Sequence, residues 1–167
     1  IDAAIWFAQT VLPELRKRYP ALRFYVVGRS PDQAVQALAA DPEAGVVVTG
    51  TVDDVRPYIA HAAVIVAPLR IARGIQNKVL EAMAMGSFPV QASGSCGNEI
   101  TPDGRGALFV PATDVDAVEA ALRRALTDDG LVDRGAAINR RAAAEHLDRH
   151  RTRNRVLDMY ERIGADS

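Results

Sequence analysis

Apolar positions along the chain alternate between helical and strand spacing. From Asp2 to Tyr19 (DAAIWFAQTVLPELRKRY) they fall at Ile5, Trp6, Ala8, Val11, Leu12 and Leu15. This is the stripe of a helix with one buried side, with Asp2 available to cap its start. Pro13 interrupts the stripe and predicts a kink or two short helices, because proline has no N–H and crowds the carbonyl four residues back. Leu22–Val27 (LRFYVV) reads as a strand closed by Gly28. Pro31–Ala40 then reads as a helix, with Ser30 as N-cap and Pro31 in its first position. Val46–Thr49 is a second strand closed by Gly50, and Asp53–His61 a short helix. Ala63–Ala67 (AVIVA) is an apolar, β-branched run suited to a strand buried on both faces, and Pro68 ends it. Leu69–Ile75 has no apolar period. Asn77–Met85 regains helical spacing at Val79, Leu80, Met83 and Ala84, with Gly86 just beyond the helix end. Phe88–Gln91 is the next strand, Ala92–Gly106 a glycine-rich polar loop, Ala107–Val110 a last short strand, and Asp114–Leu126 an amphipathic helix capped by Thr113 or Asp114. The remainder, Leu131–Ile163, reads as two or more helices separated near His146–His150, with arginines on faces taken as solvated.

Strands alternating with helices predict an α/β fold: an open parallel sheet with helices on both faces. In such sheets ligands bind outside the carboxyl ends of the strands. Four loops are thereby marked before any chemistry is considered: Gly28–Ser30, Gly50–Val52, Pro68–Gln76 and Ala92–Ile100.

Composition narrows the reading. The 167 residues suffice for one domain with a real core, and 49% of them are apolar. A formal net charge of −1 offers no bulk electrostatic case for nucleic acid. The single cysteine, Cys96, has no internal disulfide partner, which fits a reducing compartment. No apolar run approaches bilayer-spanning length, and no secretory signal is visible. The chain opens at Ile1 directly in helical pattern, which suggests a domain of a longer protein.

The richest chemistry lies between Pro68 and Glu81. A helix starting near Gln76 presents unpaired N–H groups and the positive end of its dipole to the preceding loop. Gly74 permits close backbone approach, and Arg73 and Lys78 offer charge-assisted hydrogen bonds, so a diphosphate is the natural guest. Glu81 follows further along the helix, and a carboxylate there can accept from both hydroxyls of a ribose. On pattern alone, solvated surface charges remain the alternative for Arg73, Lys78 and Glu81. Arg29 can face the cleft or solvent. Thr51 and Val52 can offer main-chain groups to a base or form a plain turn. Glu99 is a second candidate hydroxyl ligand, with a solvated loop carboxylate as its alternative. His61 reads as a helix C-terminal charge, and His146 and His150 as structural or surface residues. Cys96 has no neighbouring His or Cys in sequence. No metal-ligand spacing, phosphate-loop motif or nucleophile elbow is present.

The order of these pieces resembles the C-terminal, donor-binding domain of retaining GT-B glycosyltransferases of family 4, also called group 1. The residues that carry the likeness are GTVDDVRPYIAHAAVIVAPLRIARGIQNKVLEAMAMGSFPV, Gly50 to Val90, followed by Ala92-Ser93 and a glycine-rich loop reaching Glu99. LEAMAMG followed by PV is the specific signature. RGIQNKVLEAMAMG is most similar to bacterial sugar transferases of exopolysaccharide systems.

The resemblance implies a Rossmann-like sheet and assigns Glu81 to the ribose of the nucleotide. It sets Gly74 and Ile75 where backbone amides face the donor, Thr51 and Val52 at the base-proximal turn, and Glu99 at an acidic position near the donor. Relatives carry a second glutamate eight residues before the ribose ligand. Here that position is Arg73, which puts the usual sugar contact in doubt and offers a cation for the diphosphate or for an acidic sugar. Relatives also grip the diphosphate with an Arg and a Lys in a first strand–loop–helix unit, and this chain begins after that unit. The sheet is therefore expected without its opening strand, which leaves a neighbouring edge uncovered. An N-terminal acceptor domain is likewise absent, so the isolated chain is expected to be inactive. The implied activity is transfer of a sugar from a nucleotide diphosphate sugar, with no cofactor or metal, in polysaccharide or glycoconjugate synthesis. The implied partners are the nucleotide sugar and the missing domain, not nucleic acid. The implied location is cytoplasmic, with peripheral association at the inner membrane face as a candidate. The rival readings are half of a nucleotide-sugar 2-epimerase and a standalone nucleotide-binding module.

Overall fold

The computed structural model describes residues 1–67, 77–92, 105–111 and 113–145. It begins with α1 (Asp2–Trp6), a π-helical turn (Phe7–Val11) and α2 (Leu12–Arg18). The turn is how the chain accommodates Pro13: the Leu12 N–H reaches back five residues to the Phe7 carbonyl, and Pro13 falls in the first turn of α2, where its missing N–H costs nothing. Phe7, Ala8, Val11, Leu12 and Leu15 are buried, so the predicted stripe survives the change of helical pitch. Asp2 does not cap this run; Ile1 holds the cap position without a side-chain bond, and Asp2 lies in the first turn, where its charge still favours the positive helix end.

Strands β1 (Phe24–Val27) and β2 (Val46–Gly50) pair in parallel. Strands β3 (Ile65–Ala67), β4 (Pro89–Ala92) and β5 (Leu108–Val110) form a second parallel sheet in the order β3-β4-β5. The expected parallel α/β architecture is present, but its hydrogen-bonded ladder is divided in two among the described residues. One core joins the halves: Phe7, Val11 and Leu15 of the N-terminal helices cluster with Val46 of β2, Val90 of β4, Val110 of β5, and Val118 and Leu122 of α6 (Val115–Thr127). On the other face, Ala67 packs with Val79 and Met83 of α5 (Asn77–Ala84) and with Ala143 of α7, a helix over 129–145. Val66 packs on the first cluster and Ala67 on the second, as strand alternation requires, so helices cover both faces.

Local chemistry moved several boundaries. Helix α3 (Gln33–Gln36) starts later than expected and finishes as a 3₁₀ turn over Ala37–Ala39. Asp32, not Ser30, is its cap, its carboxylate accepting from the Ala34 N–H at 2.9 Å. Ser30 takes a left-handed φ of 47° instead. Likewise α4 (Arg56–His61) begins after Asp54, whose carboxylate accepts from the Arg56 N–H at 2.9 Å. His61 donates through Nδ1 to the Pro57 carbonyl at 2.7 Å, the C-terminal role expected of it. Asp114 caps α6 by accepting from the Ala117 N–H at 2.9 Å, which decides between the two candidates there.

Gly86 closes α5 in a left-handed conformation, φ 82°. Its N–H donates to the Met83 carbonyl and that of Ser87 to the Ala82 carbonyl, both at 2.9 Å, which is a Schellman closure. The guanidinium of Arg140 packs over this glycine, adding a cation at the negative helix end. Asn139, fully buried on the same helix, donates to the carbonyls of Ser87 at 2.7 Å and Gly106 at 2.6 Å. It thereby holds the chain just ahead of β4 and of β5. One turn away, Gly135 lets α7 press onto the buried ring of Phe88.

Candidate functional site

The strands run parallel within each sheet, so the carboxyl ends of β1 and β2 lie together, as do those of β3, β4 and β5. β1 ends at Val27, and Gly28, the exposed Arg29 and the strained Ser30 follow. β2 ends at Gly50, whose φ of 68° turns the chain sharply; a Cβ there would meet nothing within 4 Å, so this glycine is needed for its dihedral rather than for space. The ladder shifts register between Val26 and Val27, pairing Val27 with Gly50. Thr51 is exposed and Val52 half-buried just beyond. A shallow cavity of about 370 Å³, lined by Pro31, Gln36, Ala39, Val48, Thr49 and Gly50, opens beside this turn.

Charge at this edge is organised by Asp54 and Arg56. The guanidinium lies 2.8 Å from the carboxylate, and this bond holds the Asp54 carboxyl below its ordinary value and raises Arg56. The acidic turn after Val52 is thus partly neutralised from within.

α5 follows β3 in the chain. Lys78 is in the first turn of α5 and Glu81 in its second. Val79, Ala82 and Met83 are buried, whereas Glu81 is exposed. The carboxylate that looks embedded among apolar neighbours in the sequence is therefore on the solvent side of the helix, free to meet a ligand. Arg73, Gly74, Ile75 and Glu99 lie outside the described residues, as do Cys96, His146 and His150. The structure accordingly places Arg29, Thr51 and Val52 at the carboxyl end of the β1–β2 pair, and Glu81 on the exposed side of α5, which follows β3 in the chain. Among the described residues no cluster of His, Cys, Asp and Glu has the arrangement of a metal site.

Two features escaped the sequence reading. Ser30, expected as a helix cap within the marked Gly28–Ser30 loop, instead takes a left-handed backbone after β1. Gln91 is fully buried at the centre of the three-stranded sheet, paired in register with Ala67 and Phe109. A polar residue inside an apolar strand run was its visible signal.

A parallel α/β domain with its polar loops gathered at the strand ends is the class of a nucleotide-binding fold. Comparison with known proteins agrees. The family model of glycosyl transferases group 1 matches residues 1–128, and the chain belongs to this family. A phosphatidyl-myo-inositol mannosyltransferase of Mycolicibacterium smegmatis is 31% identical over 122 residues, covering 72% of this chain and 32% of the relative. Among solved structures, a Rickettsia africae glycosyltransferase superposes with a TM-score of 0.76 at 13% identity, covering 96% of this chain and 45% of its own. Anabaena HepE, solved in complex with UDP, gives a TM-score of 0.73 at 14% identity, covering 92% and 44%. At such identities the structures establish the fold alone. The chain spans about a third of the length of the mannosyltransferase and under half of these solved chains.

Proposed function

We propose that this chain is the donor-binding domain of a glycosyltransferase that moves a sugar from a nucleotide diphosphate sugar to an acceptor in polysaccharide or glycoconjugate synthesis. The observation that carries the reading is that a group 1 domain presents an exposed Glu81 on α5 and a sharp turn at Gly50 after β2. In this reading the base lies against the main chain of Thr51 and Val52, and Glu81 accepts from both ribose hydroxyls. Arg29, Arg73 and Lys78 supply cations to the diphosphate, with the backbone of Gly74 and Ile75 beside it and Glu99 near the sugar. The leaving diphosphate is stabilised by these charges and by the N-terminus of α5, in a cleft that also orients the acceptor. An N-terminal domain supplies the acceptor side, so the chain by itself turns over no substrate. No metal or other cofactor enters this scheme. The mannosyltransferase relative is named for a phosphatidyl-inositol acceptor, which favours peripheral association with the inner face of the cell membrane. No helix among the described residues is long and apolar enough to cross a membrane.

Calorimetric titration of the chain with uridine, guanosine and adenosine diphosphates, then with their sugar conjugates, tests the assignment. Glu81→Ala removes hydrogen bonds to a charged acceptor and is expected to weaken the preferred nucleotide by about 10- to 100-fold. Arg73→Ala is expected to weaken the diphosphate by a similar factor and to leave the bare nucleoside unaffected. Equal affinities in both variants and the wild type would remove the two residues from the site.

A further inference from the structure

We infer that Gln36 is a positioning residue of the cleft: its side chain fastens Pro31, holds Ser30 in a strained left-handed turn, and so sets the direction in which Arg29 meets a donor diphosphate. The inference rests on the proposed donor site and adds to it a residue that does not touch the nucleotide.

Ser30 is the one non-glycine residue with a positive φ, 47°, among the described residues. Two effects oppose that geometry. A Cβ in the left-handed region crowds the following carbonyl. The ring of Pro31 also pushes the residue before it towards extended conformations. Ser30 is exposed, and its hydroxyl has no hydrogen bond among the described residues, so the serine does nothing to hold itself there.

A strained residue persists only where its surroundings fix it from both sides. Upstream, Val27 is paired with Gly50 in the β1–β2 ladder. Downstream, the buried Val35 anchors α3, and Asp32 closes its first turn. The Asp32 carboxylate accepts from the Ala34 N–H, and its carbonyl from the N–H groups of Val35 and Gln36, each at 2.9 Å. Pro31 lies outside this turn and is fastened separately. Gln36 Nε2 donates to the Pro31 carbonyl at 2.8 Å, reaching back five residues. Both residues line the cavity beside Thr49 and Gly50. This bond tethers the residue next to Ser30.

The tether controls the direction of Arg29. Without it, Ser30 can relax to the polyproline range, a rotation of about 120° about its N–Cα bond. The ladder and α3 keep their places, so Gly28 and Arg29, the two residues between the ladder and Ser30, absorb that rotation. Gly28 has no side chain to redirect. Arg29 is exposed at the carboxyl end of β1, and its guanidinium is the cation this turn offers to the cleft. The tether needs a donor, which a glutamine amide supplies and an ionised glutamate of the same length does not.

Calorimetric titration of this chain with the nucleoside diphosphate it binds best, and with the matching nucleoside, is combined with NMR. A positive φ brings the amide and α protons of one residue close together, so Ser30 should give a strong intraresidue Overhauser effect between them. Gln36→Ala and Gln36→Glu are expected to lose that signal and to weaken the diphosphate about 5- to 10-fold, with the nucleoside unchanged. In a Ser30→Gly background, Gln36→Ala should cost less than about twofold, because glycine enters the left-handed region without help. That dependence separates positioning from a general loss of structure. A strong Overhauser effect that survives in Gln36→Ala, an unchanged diphosphate affinity once it is lost, or an equal loss in both backgrounds would each show the inference to be wrong. Failure of the wild type to bind any nucleoside diphosphate would instead remove the donor site itself, and this inference with it.

Discussion

Asn139 is the residue on which the placement of two strands depends, and replacing it gives a prediction whose size follows from the structure. Its amide nitrogen donates to Ser87 at 2.7 Å and Gly106 at 2.6 Å, linking positions 52 and 33 residues away along the chain. In Asn139→Ala both carbonyls lose their donor. A buried acceptor left without a partner costs about 1–3 kcal/mol. Gly106 is buried and belongs at the upper end of that range, whereas the half-buried Ser87 can recruit water and belongs at the lower end. The small void left behind adds about 1 kcal/mol. Against this, the Asn139 carbonyl oxygen is itself buried with no hydrogen bond among the described residues, and its removal returns about 1 kcal/mol. The net expectation is a loss of about 4 kcal/mol, or a fall in melting temperature of roughly 8–16 °C for a chain of this size. Urea unfolding followed by circular dichroism and by the fluorescence of Trp6 measures it. Asn139→Asp keeps the shape but, when ionised, sets a carboxylate against two carbonyls, so at neutral pH it should be worse than alanine. Its carboxyl is pushed up by burial and by those carbonyls, so Asn139→Asp loses stability as pH rises through the carboxylate range, while Asn139→Ala shows no such slope. A loss below about 1 kcal/mol in Asn139→Ala, or an aspartate variant no worse than alanine at neutral pH, would show that the two carbonyls do not depend on this amide.

Three further outcomes follow from the packing. Gly-to-Ala changes inside helices ordinarily stabilise by about 1 kcal/mol, but at Gly135 the new Cβ would fall 2.1 Å from the buried Phe88 ring, so Gly135→Ala should instead cost about 1–3 kcal/mol. Gly130→Ala, whose Cβ meets the flexible end of Arg134 at 3.0 Å and the Asp128 carboxylate at an ordinary 3.5 Å, is the control and should be neutral or stabilising in the same thermal melts. Gly86→Ala meets both a left-handed φ of 82° and the Arg140 guanidinium; a loss of about 1–2 kcal/mol is expected, and adding Arg140→Ala should relieve the steric part while the backbone part persists. The Asp54 carboxyl is held low by the Arg56 guanidinium and by the Arg56 N–H, so its contribution is present above the unfolded-state value and fades as pH falls through the lowered folded value; in an NMR titration Arg56→Ala should raise its midpoint only part of the way to the ordinary carboxylate range, because the backbone bond remains.

Sequence alone settled what local chemistry controls. The helical stripe through Phe7, Val11 and Leu15, the parallel alternation of strands and helices, the closure of α5 at Gly86 and the capping of α6 within Thr113–Asp114 all depend on residues a few positions apart. Periodicity and turn preferences read that range directly. The signature between Gly50 and Val90 belongs to the same range, and it pointed to the family that the comparison supports. Boundaries failed where two nearby groups competed for one role. Asp32 displaced Ser30 as cap, and a π turn made room for Pro13 without a break. Tertiary structure alone decided what distant residues share. It divided the ladder between β1 and β3, turned Glu81 outward while its neighbours Ala82 and Met83 went into the core, and joined Asn139 to Ser87 and Gly106. Those outcomes depend on which backbone groups remain unpaired once the chain has packed, and no window along the sequence holds both partners.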